Sequence, residues 1–357
     1  MNKRIFLLLF LALLLVSCSL DENGGKVYVI DNASFGIYDN KTNARATTDG
    51  INAAIDAAYK AGYTAVLFTP GDYLITCENP LGWDWPDDGI FLRSKTAYDL
   101  GGARFYVEPT DNHATAVFQL ERIENVTISG GEIIGDMKLE SGQYGSAFNL
   151  MSCENIIIKN MKMRSLASVA IRVSGYGDFY LYQTMFNDNI RITGCEFEYC
   201  GWEGINLAHV VNAEIDNNRF INFPADRPGN HWWGMSGIRV LRYGTDRCLQ
   251  NIKIHDNYFE QCGAAIIVSS AEDVEIYDNR VKEITGVGIG ISDCHRVRVH
   301  RNTIENPGHP ITVTHNMQGE WNEDIWVPEE GPNKNDAAVD WNENAEPVMT
   351  GNFPCEP

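Results

Sequence analysis

Short segments of alternating apolar and polar residues recur along the middle of the chain. Ile or Val occupies every second position in each of them, and charged residues fill the positions between. A two-residue period is typical of β-strands that bury one face, so the apolar side chains are predicted to face an interior and the charged ones solvent. The segments are residues 155–160, 189–195, 213–220, 251–257, 273–279 and 296–302.

An Asn recurs near the end of these segments and sets their spacing. The recurring positions are Asn160, Asn218, Asn257, Asn279 and Asn302, with Cys195 in the same place of its own segment. The last intervals are 22 and 23 residues, whereas longer gaps of 35 and 39 residues indicate insertions in loops. Stacked Asn side chains can bond one another as a ladder, and Asn tolerates the left-handed backbone of a tight turn. The spacing therefore predicts coils of three strands, stacked as a solenoid.

An Ala-rich segment at residues 48–58 precedes the repeats, with Thr48 or Asp49 as its predicted N-cap. Apolar residues at 65–75 follow it and predict the first strands. A helix at this point would close the open end of an apolar bore, as a terminal repeat must. These features, with the repeats, resemble the pectate-lyase-like superfamily over about residues 115–316. The resemblance implies an all-β fold, a right-handed parallel β-helix of three sheets with an N-terminal capping helix.

The N-terminus has two basic residues, then an apolar run at residues 5–16 that is of signal-peptide length and short for a membrane span. It ends at Leu15-Val16-Ser17-Cys18, which resembles the lipobox of bacterial lipoproteins and implies lipidation of Cys18. An ordinary cleaved signal is the alternative. The interpretation divides the chain into a signal peptide (1–17), a linker and entry strand (18–45), the β-helix with its cap (46–316) and a C-terminal cap or tail (317–357). We expect an exported lipoprotein at the outer membrane or cell surface, with the periplasmic face as an alternative and the lipid as its only membrane contact.

The net charge and the cysteine spacing limit which partners and metals the sequence predicts. A formal net charge of −20 argues against a nucleic-acid partner, which would need clustered Lys and Arg, and implies that an anionic glycan would need a local basic patch. The cysteines show no metal-ligand spacing. Cys195, Cys200 and Cys262 lie at positions of the coil where small residues stack and are predicted to be buried free thiols, with a bridge through Cys77 or Cys355 left open. No cofactor is predicted, calcium has no support from the groove residues, and a monomer is expected.

The first strand of each coil supplies one outward residue per coil. In the family that the chain resembles, the ligand groove runs along the sheet that these strands form. The predicted row of outward residues is polar or basic in its first five positions and small or apolar after them. We therefore expect a site around Arg172, Asn206 and Arg239. The row is Gln119, Asn149, Arg172, Asn206, Arg239, Ile267, Gly290 and Thr312.

Loops that a rigid scaffold positions often carry function, and insertions at 135–146, 174–188 and 223–236 adjoin these coils. Aromatic side chains in and near them suit the apolar faces of sugar rings, although packing of the loop onto the solenoid would explain them equally. The predicted substrate-binding residues are Asn149, Asn206, Arg242, Tyr144, Trp202, Trp232 and Trp233.

Two arginines in the row suit the carboxylates of a uronic-acid glycan, because a guanidinium binds a carboxylate through two hydrogen bonds. The alternative for them is an ion pair with Glu203 or Asp226. His209 and His231 are candidate bases, because histidine titrates near neutral pH, and His255 and His300 are interpreted as solvated. The predicted catalytic residues are Arg172, Arg239, His209, His231 and Glu203, and no metal ligands are predicted.

Three functions remain open on these residues. A polysaccharide lyase that acts by β-elimination without a metal fits the row best, because β-elimination needs a neutralised carboxylate and a base. A glycoside hydrolase would need two carboxyl groups, which turn residues such as Glu203 would have to supply. A surface protein that binds a polysaccharide or oligosaccharide without cleaving it is the third.

Overall fold

The structure is a computed structural model that describes residues 25–77, 89–109, 115–135, 145–174, 186–223, 235–241, 249–292, 294–305 and 309–314. The described part consists of 26 strands and one helix, which we number in chain order. All the strand pairings in it are parallel, and each strand except those at the ends of the sheets pairs with strands of the coils before and after it. The helix, α1, covers Ala44–Lys60.

The strands that open the coils form one sheet of nine, here called sheet 1. Its strands are β4 (Ile90–Phe91), β6 (Thr115–Glu121), β8 (Gly145–Met151), β11 (Ile171–Ser174), β14 (Glu203–Leu207), β17 (Ser236–Leu241), β20 (Ala264–Ser269), β23 (Val287–Ser292) and β26 (His309–Thr314).

The other strands form sheets 2 and 3, which are continuous with each other because β5 and β7 are long enough to run through both. Sheet 2 contains β1 (Val27–Val29), β2 (Ala65–Leu67), β5 (Ala97–Val107), β7 (Glu124–Ile134), β9 (Glu154–Lys159), β12 (Asn187–Thr193), β15 (Val210–Asp216), β18 (Leu249–His255), β21 (Glu272–Tyr277) and β24 (His295–His300). Sheet 3 contains the ends of β5 and β7 with β3 (Gly71–Ile75), β10 (Lys162–Arg164), β13 (Glu196–Glu198), β16 (Arg219–Ile221), β19 (Tyr258–Glu260), β22 (Arg280–Lys282) and β25 (Thr303–Glu305).

The bore between the sheets is filled by like residues stacked on like. Phe197, Phe220 and Phe259 occupy one position of successive coils, with ring centroids 4.7 and 4.8 Å apart and planes within 6° of parallel. Ile and Val fill most of the remaining interior positions. The all-β solenoid of three sheets that the alternation and spacing predicted is confirmed.

An Asn ladder runs through one corner of the bore. The Nδ2 groups of Asn218, Asn257 and Asn279 donate to the Oδ1 atom of the next Asn at 3.1, 3.0 and 2.9 Å, and the ladder ends at Asn302. Each Oδ1 also accepts a backbone N–H from the preceding coil, beginning with that of Cys195. These buried amides therefore join adjacent coils through side chain and backbone together.

The predicted place of Asn160 in this ladder is wrong by one residue. Strand register puts Met161 in the ladder position and aligns Asn160 with Gly194, one residue earlier. That earlier position has a left-handed backbone, with φ of +55° at Asn160 and +65° at Gly194, whereas the ladder residues do not. The two roles that the sequence assigned to one Asn belong to two adjacent positions.

The predicted start of the helix is also wrong. Helix α1 begins at Ala44, after Asn43, whose φ is +51° and whose side chain makes no capping hydrogen bond. Thr48 lies inside the helix, where its hydroxyl donates to the carbonyl of Ala44 and accepts the backbone N–H of Thr76. Its polar side chain therefore ties the helix to the solenoid.

His255 and His300 are not solvated, which corrects the interpretation from the sequence. Tyr277 lies between them on sheet 2, with ring centroids 4.6 Å from His255 and 5.2 Å from His300, and their side chains are only 12% and 15% exposed. Their Nε2 atoms lie 3.1 Å from Glu214 and 3.0 Å from Glu275. Alternation correctly predicted an outward direction, but stacking covers the rings.

Cys195, Cys200 and Cys262 are buried free thiols, as predicted, and Cys77 is buried as well. Burial raises the pKa of Cys153 to about 11 and the pKa values of Cys195, Cys200 and Cys262 to about 12. These thiols therefore fill the bore as small apolar groups. Cys18, Cys248 and Cys355 lie outside the described residues.

Candidate functional site

The outward row predicted from the sequence is one continuous line of register in sheet 1. Successive pairings run Gln119–Asn149–Arg172–Asn206–Arg239–Ile267–Gly290–Thr312. Phe91 pairs with Gln119 and extends the row by one coil that the sequence did not suggest. Gln119, Asn149 and Asn206 are only 4–6% exposed, so these amides lie on the outward face but are almost entirely covered.

Glu203 reaches the same face from the first position of β14. The strand register pairs Glu203 with Ser236 and Ile205 with Ile238, and Gly204 lies between them. A Cβ on Gly204 would lie 2.6 Å from the buried ring of Phe220, so both Gly204 and Ile205 face the bore. Two consecutive inward residues turn Glu203 outward, on the side of Asn206. The prediction of a turn position for Glu203 is corrected, because it belongs to the strand.

Glu203 forms a buried ion pair with Arg239. Arg239 Nη1 lies 3.0 Å from Glu203 Oε1, and the side chains are 16% and 2% exposed. Burial raises the pKa of the Glu203 carboxyl, and this outweighs the opposing effects of Arg239, of the hydrogen bond with Asn206 and of the nearby Arg172. The site thus contains a carboxyl group suited to exchange a proton closer to neutral pH than an exposed glutamate.

The two arginines of the row differ in their surroundings. Arg239 already holds Glu203, which is the ion-pair alternative that the sequence left open. Arg172 is half-buried between Asn149 and Asn206, and no carboxylate of the described residues lies within ion-pair distance of it. A guanidinium in that setting suits a carboxylate brought by a ligand.

Buried polar atoms without partners adjoin these arginines. Asn149 Nδ2 donates to Gln119 Oε1 at 3.2 Å, whereas Asn149 Oδ1 has no hydrogen-bond partner among the described residues. The hydroxyl of Ser236, next to Glu203 in register, is likewise buried without a partner there. Buried polar atoms in proteins nearly always find a partner, so these positions suit the hydroxyl groups of a polar ligand or ordered water.

The remaining predicted residues fall into two groups. His209 is buried in the turn between β14 and β15, where its φ is +58°, and its carbonyl accepts the backbone N–H of Asn187. Trp202 is half-buried immediately before Glu203. Both thus flank β14. The others lie outside the described residues, and they are Cys18, Tyr144, His231, Trp232, Trp233 and Arg242.

The sequence missed the contact between Gln119 and Asn149 and the closeness of Glu203 to three row residues. The alternation that turns Gln119 and Asn149 outward could have indicated the contact between them. The pair of inward residues Gly204 and Ile205, which recurs in sheet 1 as Ala147 with Phe148, could have indicated the closeness of Glu203 to the row. Within the described residues no group of three His, Cys, Asp or Glu side chains is arranged to hold a metal ion. No described helix is long and apolar enough to cross a membrane.

Comparison with known proteins finds similar β-helices. A family model described as a right-handed beta helix region matches residues 184–323. An uncharacterized Bacillus subtilis protein, YclG, is 26% identical over 197 residues, which are 47% of this chain and 33% of YclG. A Bacillus licheniformis pectate trisaccharide-lyase is 24% identical over 213 residues, 57% of this chain and 54% of the lyase. The chain thus spans about half the length, or less, of these relatives.

Solved structures agree on the fold. An exopolygalacturonase from Thermotoga maritima superposes with a TM-score of 0.60 at 12% identity, covering 84% of this chain and 81% of that one. The tailspike protein of E. coli bacteriophage HK620, in complex with a pentasaccharide, gives a TM-score of 0.59 at 13% identity, covering 78% and 52%. Coil geometry, family match and structural neighbours together show a right-handed parallel β-helix, the fold that the resemblance to the pectate-lyase-like superfamily implied.

Proposed function

We propose that this chain is a polysaccharide lyase that cleaves a uronic-acid-containing glycan along sheet 1 by β-elimination. The observation that carries the proposal is the position of Arg172, a groove guanidinium without an ion-pair partner among the described residues, beside the buried carboxyl of Glu203. The relatives include a pectate trisaccharide-lyase, and the structural neighbours include an exopolygalacturonase and a glycan-bound tailspike. These relatives support a carbohydrate substrate without fixing the reaction.

The reaction assigns one role to each charged group. Arg172 binds the substrate carboxylate and stabilises the negative charge that develops when the neighbouring C5 loses its proton. Glu203 accepts that proton, the C5 electron pair forms the C4–C5 double bond, and the C4–O bond breaks. The departing oxygen takes a proton from solvent and becomes a hydroxyl. Arg239 holds the Glu203 carboxylate in position for the transfer.

Glu203 is a better base than His209 on the geometry. Its carboxyl contacts Asn206 and Arg239, which both line the row, whereas His209 lies in the turn beyond the end of β14. Its raised pKa also favours proton transfer near neutral pH.

Hydrolysis fits the described residues less well, because it needs two carboxyl groups about 5 to 9.5 Å apart. Glu121 is the other carboxylate that the described strands of sheet 1 supply, and it lies on β6, three coils from Glu203. Three strand spacings amount to about 14 Å. The described carboxylates on the strands of sheet 1 therefore do not form a hydrolytic pair.

Incubation of the protein with uronic-acid glycans and neutral glycans tests the reaction. A lyase produces the ultraviolet absorbance of an unsaturated uronate, and Arg172→Ala should abolish it. Arg298→Ala, which removes an exposed arginine from sheet 2, is the matched control and should keep full turnover. New reducing ends without this absorbance would indicate a hydrolase instead, and binding without either product would indicate a glycan-binding protein.

A second proposal concerns location: Cys18 carries a lipid that anchors the protein at the outer membrane or cell surface. It rests on the charged start, the apolar run and the Leu-Val-Ser-Cys sequence of residues 15–18. Metabolic labelling with a radioactive fatty acid should mark the wild type and not Cys18→Ala. Equal labelling of both would overturn it.

A further inference from the structure

We propose that the groove selects a glycan in which carboxylated sugars alternate with uncharged ones, rather than a polymer with a carboxylate on every sugar. This inference deepens the proposed function and rests on it for the orientation of the glycan along sheet 1.

The row offers one guanidinium to a ligand within the described residues. Arg239 is held by Glu203, and beyond it the row continues with Ile267 and Gly290, which have no charge. On the other side of Arg172 lie Asn149 and Gln119, both uncharged. A sugar unit is about as long as one strand spacing of ~4.8 Å, so neighbouring sugars would meet neighbouring row residues.

The other arginines next to sheet 1 in the described coils already have carboxylate partners. Arg122, in the turn after β6, lies 3.8 Å from Glu121, and Arg93, after β4, lies 2.7 Å from Asp56. A polymer with a carboxylate on every sugar would therefore place charges over the amides and the apolar end of the row without a cation for each among the described residues. The chain's formal net charge of −20 would add repulsion.

The amide positions are suited to uncharged sugars. Asn149 Oδ1 is a buried acceptor without a partner among the described residues, and a carboxylate cannot satisfy it because it has no proton to donate. A sugar hydroxyl or an N-acetyl N–H can. A buried acceptor facing a carboxylate would leave two acceptors unpaired, at a considerable cost in binding.

The test compares the affinity of the wild-type protein for two groups of polymers by calorimetry. Polygalacturonate and alginate carry a carboxylate on every sugar, whereas hyaluronan, unsulfated chondroitin and a rhamnogalacturonan backbone alternate charged and uncharged sugars. We expect at least one alternating polymer to bind on the order of tenfold or more tightly than both polyuronates. Equal or tighter binding of either polyuronate, or binding of none of the five, overturns the inference.

A variant with an added positive charge in the row gives a second test of the selectivity. Asn149→Lys puts a second cation in the row and should tighten polygalacturonate binding by roughly tenfold. Ile157→Lys adds the same charge on the outer face of sheet 2, where Ile157 is 37% exposed, and should leave binding unchanged. If Asn149→Lys does not fold, as judged by its circular dichroism, the wild-type comparison decides alone.

The two proposals fail in different ways. Preferential binding of an alternating polymer without an unsaturated product would overturn the lyase reaction and leave the selectivity standing. If a polyuronate instead bound more tightly and gave the unsaturated product faster, the selectivity would be overturned and the lyase reaction would stand.

Discussion

Glu203 and Arg239 lie on adjacent strands of sheet 1, and their 3.0 Å ion pair buries a carboxylate that is only 2% exposed. Such a pair contributes little net stability, because the loss of hydration on burial offsets the attraction between the charges. Its contact with Asn206 and the proximity of Arg172 place it instead at the centre of the row. The pair thus fits the proposed role of Glu203 as a base better than a role in stabilising the fold.

Replacing Glu203 by Gln should reduce turnover by a factor on the order of 10² to 10⁴, because proton transfer loses its base. The wild-type rate should rise as pH increases through the raised pKa of this carboxyl, above the ordinary glutamate range. Steady-state rates from pH 4 to 9 on the active substrate measure both effects.

Glu121→Gln is the matched control for that substitution, since Glu121 lies on the same sheet but is 55% exposed in its side chain. It should retain the wild-type rate and pH profile. A Glu203→Gln enzyme with an unchanged rate would exclude Glu203 as the base.

The stability of the wild type should fall with rising pH relative to Glu203→Gln. Burial holds the pKa of Glu203 above its unfolded value, so the folded state keeps a proton that the unfolded state has lost. The stabilisation is complete below the unfolded pKa and disappears as pH rises through the folded pKa. Urea unfolding of both proteins across pH 4–9 measures this, and a wild-type stability that rises with pH relative to that of Glu203→Gln would contradict the raised pKa.

Removing Arg239 alone should destabilise the protein by about 3–5 kcal/mol at high pH, because the Glu203 charge is left buried without a partner. The loss should shrink at low pH, where the carboxyl can take a proton instead. Arg239→Gln combined with Glu203→Gln should recover most of it. Additive losses in this double-mutant cycle would show that the ion pair is not energetically coupled.

The sequence was sufficient for the fold and for the outward row, because both follow from a two-residue period and a nearly constant coil length. In parallel register, one position per coil must lie beside its equivalent in the next coil, so the order from Gln119 to Thr312 could be read directly. The ladder of Asn257, Asn279 and Asn302 followed for the same reason.

The sequence did not reveal where the structure departs locally from the two-residue alternation and the regular coil spacing. Asn160 was misplaced because left-handed turns and the ladder both favour Asn, and the two positions are adjacent. Glu203 was assigned to a turn because two consecutive inward residues break the alternation there. The covered state of His255 depends on Tyr277 of the next coil, a contact that no local pattern encodes.

Substituting Asn257 by Ala should lower the free energy of unfolding by about 2–4 kcal/mol, since buried partners in two neighbouring coils lose their hydrogen bonds. Thr303→Ala, at an exposed position of β25, should change it by less than about 0.5 kcal/mol. Denaturant midpoints of the two variants make the comparison, and equal midpoints would argue against the ladder as a stabilising element.

The thiols of Cys153, Cys195, Cys200 and Cys262 should not react with an aromatic disulfide reagent until the protein unfolds. Burial shields them and raises their pKa values to about 11 or 12, so almost no thiolate is present at pH 8. Peptide mapping after labelling, with and without denaturant, identifies which cysteines react. Rapid native labelling of any of these four would contradict their burial.

The register of sheet 1 also bears on how such a protein can change over evolutionary time. Each coil contributes one side chain to the row and touches only the coils next to it. A single substitution therefore alters one position of the row without disturbing the others. Duplication or loss of a whole coil would lengthen or shorten the row by one position. New specificities can accordingly arise stepwise, one coil at a time, on an unchanged interior.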